Sequence, residues 1–208
     1  MSATRAIPEI LILAAGASRR MRGSDKLVQP VGGQALLAHV ARMALATGCP
    51  VSVTLDANRP ARVQALAGLA VGKIFVPDPD AGMTASLQAG MAALPPSAGV
   101  MVLLADMPDL TTADLQTLLA VARENPDLIL RACASDGAPG HPVLFPAWLR
   151  PEIAALHGDP GPREVLARHR DRLRLVPLPG LRATTDLDTP EDWATWQKGQ
   201  GRPDGPMN

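Results

Sequence analysis

At 208 residues with 47% hydrophobic content, the chain is long enough to bury one sizeable core, which excludes a disordered protein. Lys plus Arg and Asp plus Glu both number 20, so no net charge draws the chain to nucleic acid or an anionic membrane. Two Phe, three Trp and no Tyr exclude an aromatic platform for stacking bases.

From Met1 to Glu9 no long apolar stretch follows a basic start, so neither a signal peptide nor a membrane span is expected. Strand-like runs at 7–13, 51–55, 73–76, 100–104 and 127–132 alternate with helical patterns at 35–47, 60–67, 84–94 and 112–123. That rhythm predicts an α/β fold, a three-layer Rossmann-like arrangement with a mostly parallel sheet covered on both faces. Ligands of such sheets bind at the carboxyl ends of the strands, so the loops at 14–26, 77–83 and 105–109 are expected to converge on one crevice. Beyond residue 134 the Gly and Pro content rises, and a small mixed subregion over the active edge is expected. Residues 1–197 read as one domain and 198–208 as a disordered tail. Cys49 and Cys133 lack C-x-x-C spacing and read as reduced thiols of a cytosolic protein. His39, His141, His157 and His169 show no i, i+4 pairing, so no zinc site is expected.

The rest of the chain is organised around its first apolar run. Ile10 to Ala15 carries no charge and gives way to a basic, Gly-containing loop, the pattern of a buried strand feeding a phosphate-binding turn. Ala14, Ala15 and Gly16 leave almost no side chain above the strand end, so a ligand can lie against the backbone. Arg19, Arg20, Arg22 and Lys26 follow with only Asp25 opposing them, and a polyphosphate suits such a pocket. The chain has neither the G-x-x-x-x-G-K-[ST] of a P-loop nor the G-x-G-x-x-G of a dinucleotide fold here.

Other residues are ambiguous by local pattern. Asp106 closes the run from Met101 to Ala105 and is either a ligand at the crevice or a cap of the next turn, with Asp109 or Thr111 starting the helix at 112. In Thr185 to Asp192, Asp188 or Thr189 suits an N-cap with Pro190 at the first helical position, while Asp186 and Asp188 share one side of an extended segment. Thr84 and Ser86 read locally as helix caps, and His141 before Pro142 reads as an exposed loop residue.

The first stretch resembles the signature L-A-[AG]-G-x-S-x-R-M-G-x-x-K of the GT-A type of nucleotidyltransferases. Within them it is most similar to the molybdenum cofactor cytidylyltransferase and guanylyltransferase family. Leu13, Ala14, Ala15, Gly16, Ser18, Arg20, Met21 and Lys26 match in register, whereas Arg22-Gly23 departs and sets Lys26 one place further on, as in the M-G-G-x-D-K of guanylyltransferases. The resemblance extends to Leu104-Ala105-Asp106-Met107-Pro108, to Gly82-Met83 with Ser86-Leu87, to Gly140-His141-Pro142-Val143, to the segment 158–163 and to Asp186-Leu187-Asp188-Thr189-Pro190.

It implies an enzyme that joins an NMP unit from an NTP to the phosphate of a molybdopterin-type cofactor. Asp106 with Asp188 or Asp186 would hold Mg²⁺, and Arg20 and Lys26 would stabilise the leaving pyrophosphate. Leu13, Ala14, Ala15, Gly16, Gly82 and Ser86 would line the nucleotide, and His141, Pro142 and Arg163 the acceptor. A phosphate monoester is already ionised at neutral pH, with a second pKa of about 6, so no general base is needed. Ala15, where guanylyltransferases tend to carry glycine, favours CTP over GTP. A molybdenum enzyme that receives the product is implied as partner, and a cytoplasmic location. The alternatives are a guanylyltransferase using GTP, a sugar-1-phosphate nucleotidyltransferase, and a non-catalytic nucleotide-binding chaperone.

Overall fold

The computed structural model describes residues 7–156 and 161–200. In its first strand, β1 (Glu9–Leu13), Ile10 and Ile12 face one side and Leu11 the other, and all three are fully buried. Such a strand needs cover on both faces, and each of these side chains contributes about 2 kcal/mol by leaving water. Then follow β2 (Pro30–Val31), β3 (Gln34–Ala35), α1 (Leu36–Leu45), β4 (Val51–Leu55), α2 (Pro60–Ala65), β5 (Gly72–Phe75), α3 (Met83–Ala93), β6 (Val100–Leu104) and α4 (Thr112–Glu124). The chain continues through β7 (Ile129–Cys133), β8 (Pro139–Phe145), α5 (Arg150–Ala154), α6 (Gly161–Arg168), β9 (Leu173–Pro177) and α7 (Pro190–Gln200).

A seven-stranded sheet runs in the order β5-β4-β1-β6-β8-β7-β9, and β8 alone is antiparallel to its neighbours. On one face Ile10 and Ile12 pack with Leu36, Leu37 and Val40 of α1, Leu115 and Leu118 of α4 and Trp193 of α7. On the other, Leu11 packs with Leu87 and Met91 of α3, Ile153 of α5 and Val165 of α6. The result is the expected three-layer architecture, with β2 and β3 forming a separate small hairpin. From β1 the chain moves outward to β4 and β5, then returns to lay β6 on the opposite side of β1. That reversal opens a crevice at the carboxyl ends of β1 and β6, where residues 14–26 and 105–109 depart.

Two expectations change. Residues 139–145 do not lie over the sheet but form β8 within it. Proline is normally excluded from a central strand; here pairing with β6 stops at Val143, and the register with β7 shifts between Arg131 and Cys133, so Pro142 owes no hydrogen bond to the ladder. The helix α7 runs to Gln200, so residues 198–200, expected in the tail, are helical. Residues 201–208 lie outside the described residues. No helix among the described residues is long and apolar enough to cross a membrane.

Candidate active site

Beyond β1 the backbone folds into two short 3-10 turns, Arg19–Met21 and Lys26–Val28. Ser18 and Arg22 adopt left-handed φ values of 52° and 51°, which cost about 1 kcal/mol each for residues with a Cβ. The Arg22-Gly23 departure is the left-handed link between the turns. It delivers Lys26 to the start of the second one, where Asp25 accepts from the Leu27 amide at 3.1 Å.

Arg62 of α2 holds this loop from behind. It is completely buried, and all five of its N–H groups find acceptors. Nε and Nη2 grip Asp25 at 2.8 and 2.9 Å, Nη2 also reaches Ser18 Oγ at 3.0 Å, and Nη1 takes the carbonyls of Ala14 at 2.6 Å and Gly16 at 2.8 Å. Arg59 adds the Ala17 carbonyl at 2.6 Å. Three carbonyl oxygens are thereby drawn away from the surface a polyphosphate must approach. Burial opposes the charge on Asp25, but the Arg62 pair, the Leu27 amide and Arg59 outweigh it and hold its carboxyl below the usual range. Sequence reasoning missed Arg62. Its signal was a position four residues before Leu66, on the inward face of the helix, where a cation demands an anion.

The acids reach the crevice because other residues do the capping. Thr111 and Asp114 cap α4, with the Asp114 amide 3.3 Å from Thr111 Oγ1 and the Thr111 amide 2.9 Å from Asp114 Oδ2. Asp109 accepts from Trp196 Nε1 at 2.7 Å, and Asp106 is left free of the helix start. Thr189 and Asp192 cap α7 in the same reciprocal way, at 3.1 and 2.8 Å, which releases Asp188. Leu187, 1% exposed, buries itself between Asp186 and Asp188 while its amide donates to the Asp106 carbonyl at 3.0 Å. One oxygen from each of Asp106, Asp186 and Asp188 then lies within 4.8 Å of the others.

Lys26 sits among them, paired with Asp106 Oδ2 and 2.5 Å from Asp188 Oδ1, and Arg20 stands 2.5 Å from Asp188 Oδ2. Burial works against the charge on Lys26, yet Asp106 and Asp188 prevail and raise its pKa above the usual lysine value. Asp186 is raised in turn, by burial first and then by repulsion from Asp106 and Asp188. Asp106 Oδ1 is buried with no hydrogen-bond partner among the described residues. An anionic oxygen so placed calls for a cation, and three hard carboxylates at this spacing fit a divalent ion of the magnesium or manganese type.

These groups open on one cavity of about 840 Å³. Leu13, Ala14, Ala15 and Gly16 form its wall near β1, Gly82 and Ser86 at the start of α3, and His141 and Arg163 on the far side. Gly82, at φ 89°, takes the N-cap position of α3, so neither Thr84 nor Ser86 does. Pro142 is buried and off the cavity wall, unlike its neighbour His141. Arg22 is also off the wall, paired with Glu191 at 2.6 Å, and Arg19 pairs with Asp80 at 2.8 Å. His157, Gly158, Asp159 and Pro160 lie outside the described residues.

His141 is far from the exposed loop residue its context suggested. Burial above all, and then Arg131, push its pKa down to about 4, so the ring is neutral. Its amide donates to the Ala183 carbonyl at 2.8 Å; a Cβ on Gly140 would stand 1.8 Å from that oxygen, so only glycine lets the segment leading to Asp186 cross β8. Arg131 on β7 also faces the cavity and was not anticipated, although a lone charge inside Ile129-Leu130-Arg131-Ala132-Cys133 was its signal.

A doubly wound sheet that gathers a cationic glycine loop and a carboxylate cluster at its switch point defines a nucleotidyltransferase architecture. Residues 10–173 match the family described as the MobA-like NTP transferase domain, and the chain belongs to that family. It is 34% identical over 190 residues to the nicotine blue oxidoreductase of Paenarthrobacter nicotinovorans, covering 87% of this chain and 92% of that protein. It is 38% identical over 159 residues to the molybdenum cofactor guanylyltransferase of Bradyrhizobium sp. (strain ORS 278), covering 73% and 72%. The crystal structure of Rv0371c from Mycobacterium tuberculosis H37Rv is similar with a TM-score of 0.81 and 27% identity, over 94% of this chain and 100% of that one. A complex of the same protein with manganese gives a TM-score of 0.78 at 26% identity, over 93% and 99%. The chain is a nucleotidyltransferase of the MobA-like type.

Proposed function

We propose that the enzyme transfers the NMP unit of an NTP, with CTP favoured over GTP, to the phosphate of a molybdopterin-type cofactor. An acceptor phosphate oxygen bonds to the α-phosphorus while the bond to the bridging oxygen breaks and pyrophosphate leaves. The carrying observation is Lys26 bridging Asp106 and Asp188 inside the cavity, beside the Asp106 Oδ1 that has no hydrogen-bond partner among the described residues. The relative named as a molybdenum cofactor guanylyltransferase supports the acceptor class.

Asp106, Asp186 and Asp188 would hold Mg²⁺, which bound there supplies charge neutralisation on phosphate oxygens. Lys26 and Arg20 leave this group of acids one charge negative, and a divalent ion turns it positive, so the nucleotide and the ion favour each other's binding. In the reaction Lys26 and Arg20 stabilise the leaving pyrophosphate, and the small residues from Ala14 to Gly16 let the nucleotide lie against the loop. The methyl of Ala15 narrows the wall toward a pyrimidine. GTP is the second reading, favoured by the name of the Bradyrhizobium relative and by the Gly23-Ser24-Asp25-Lys26 spacing. The reading places the reaction in the cytoplasm, with the product passed to a molybdenum enzyme.

The test is incubation with each NTP, Mg²⁺ or Mn²⁺ and a molybdopterin-type acceptor, following pyrophosphate and the mass of the product. A cytidylylated acceptor is expected, formed faster than the guanylylated one. Pyrophosphate release only with a sugar 1-phosphate, or none with any acceptor, would overturn the proposal.

A further inference from the structure

Arg131 of β7 and Arg163 of α6 face the cavity that also holds Lys26 and Arg20, but from its other end. In the sheet order β7 stands three strands from β1, about 14 Å at the usual strand spacing. The side chain of Arg131 is oriented by neutral acceptors only: Nε donates to the Gly140 carbonyl at 3.0 Å and Nη2 to the Pro139 carbonyl at 3.3 Å. Those bonds occupy two of the five N–H groups of a guanidinium. The remainder have no acceptor, and neither arginine has a carboxylate partner, among the described residues. Burial and the charge of Arg163 both work against the charge on Arg131.

The contrast with the rest of the cavity is what makes this pair informative. Arg19 pairs with Asp80, Arg20 with Asp188, and Lys26 with Asp106 and Asp188. Two arginines that repel each other across a cavity, with no counter-ion among the described residues, are compensated by an anion that enters from solution. Between them and the acids, on β8, lies His141, neutral, its ring beside the Val102 carbonyl. An alcohol acceptor would leave both charges uncompensated, whereas the dianion of a phosphate monoester matches them.

We propose that Arg131 and Arg163 form the anion subsite for the acceptor and hold its phosphate monoester as a dianion while the nucleotide occupies the end near Lys26. This rests on the transfer reading above and assigns the work of bringing one anion up to another. The two arginines neutralise the acceptor before it meets the charged α-phosphate.

Inorganic phosphate is the probe. The full-length protein, saturated with Mn²⁺ and a non-hydrolysable α,β-methylene CTP so that the nucleotide end is filled, is titrated with phosphate by calorimetry. Arg131→Met and Arg163→Met are each expected to weaken phosphate binding at least tenfold, the loss of a charge-assisted hydrogen bond, without changing affinity for the analogue. In turnover both raise the KM for the acceptor and leave the KM for the nucleotide unchanged. Arg163 is exposed on α6, so its variant carries the test even where Arg131→Met does not fold. Unchanged phosphate affinity in the folded variants, or an equal loss for the analogue, overturns the subsite. Turnover in wild type with an unaltered acceptor KM in both variants removes the subsite and leaves the transfer reading. Phosphate binding lost in both variants, from a wild type that releases no pyrophosphate, supports the subsite and removes the transfer reading.

Discussion

Around the β1 loop each cation is met by an anion of the chain itself, whereas on the β7 side Arg131 leans on two carbonyls and Arg163 has no carboxylate partner among the described residues. The first region is organised before any ligand arrives. Arg62 anchors its backbone, Asp25 is spent on Arg62, and Lys26 stands in for positive charge among the acids. The second region has a scaffold but, among the described residues, no carboxylate to compensate its charge. Under the proposed reaction, the nucleotide would exchange partners at one end of the cavity and the acceptor would supply the missing partner at the other.

Lys26→Ala should break the organised side most severely. Turnover falls by roughly two to three orders of magnitude, the loss of one preorganised charge donor at a developing anion. Manganese binding to the nucleotide-free protein should move the other way and tighten, because Asp106 and Asp188 lose the ammonium that occupies their oxygens. Undiminished turnover in a folded Lys26→Ala protein would remove Lys26 from the reaction.

Next in size is the anchor behind the loop. Arg62→Met leaves half-buried Asp25 with Arg59, at 3.5 Å, and the Leu27 amide as partners, which should cost about 3 kcal/mol in urea unfolding and raise the KM for the nucleotide. Adding Asp25→Asn should recover part of the stability but not the KM, since the carbonyls of Ala14 and Gly16 remain unheld.

His141 sharpens the comparison from the other side. Its folded pKa, about 4, lies below the ordinary 6.5, so between these values the unfolded chain binds the extra proton. The stability it contributes is complete above pH 6.5 and falls as pH drops towards 4, by about 2 kcal/mol after allowance for the ring's partial exposure. Urea unfolding from pH 7 to 4 should show the fall in wild type and a shallower one in His141→Asn. Identical profiles would contradict the assignment. The smallest effect belongs to Thr111→Ala, which removes half of a capping box and should cost about 1 kcal/mol with no change in KM for either substrate.

The parallel half of the sheet was legible because its strands are short apolar runs and its loops end in small or charged residues. Ile10-Leu11-Ile12-Leu13-Ala14-Ala15-Gly16 states both the strand and the turn. Asp106 and Asp188 were legible only as choices between ligand and cap, and what decides them lies outside those residues: Thr111 and Thr189 take the caps. Arg62 was hidden because its meaning depends on Asp25, far away in the chain, and β8 because Pro142 breaks the period that marks a strand. The edge strand β9 carries exposed Leu175 beside buried Val176, so its alternation never emerges from the sequence.

Manganese binding followed by electron paramagnetic resonance, with and without CTP, bears most directly on a divalent ion held by Asp106, Asp186 and Asp188 beside the nucleotide. Wild type should bind the ion more tightly when CTP is present, and Asp106→Asn should lose roughly 100-fold in affinity together with pyrophosphate release. Equal manganese binding in wild type and Asp106→Asn, or pyrophosphate release that survives the substitution, would contradict it.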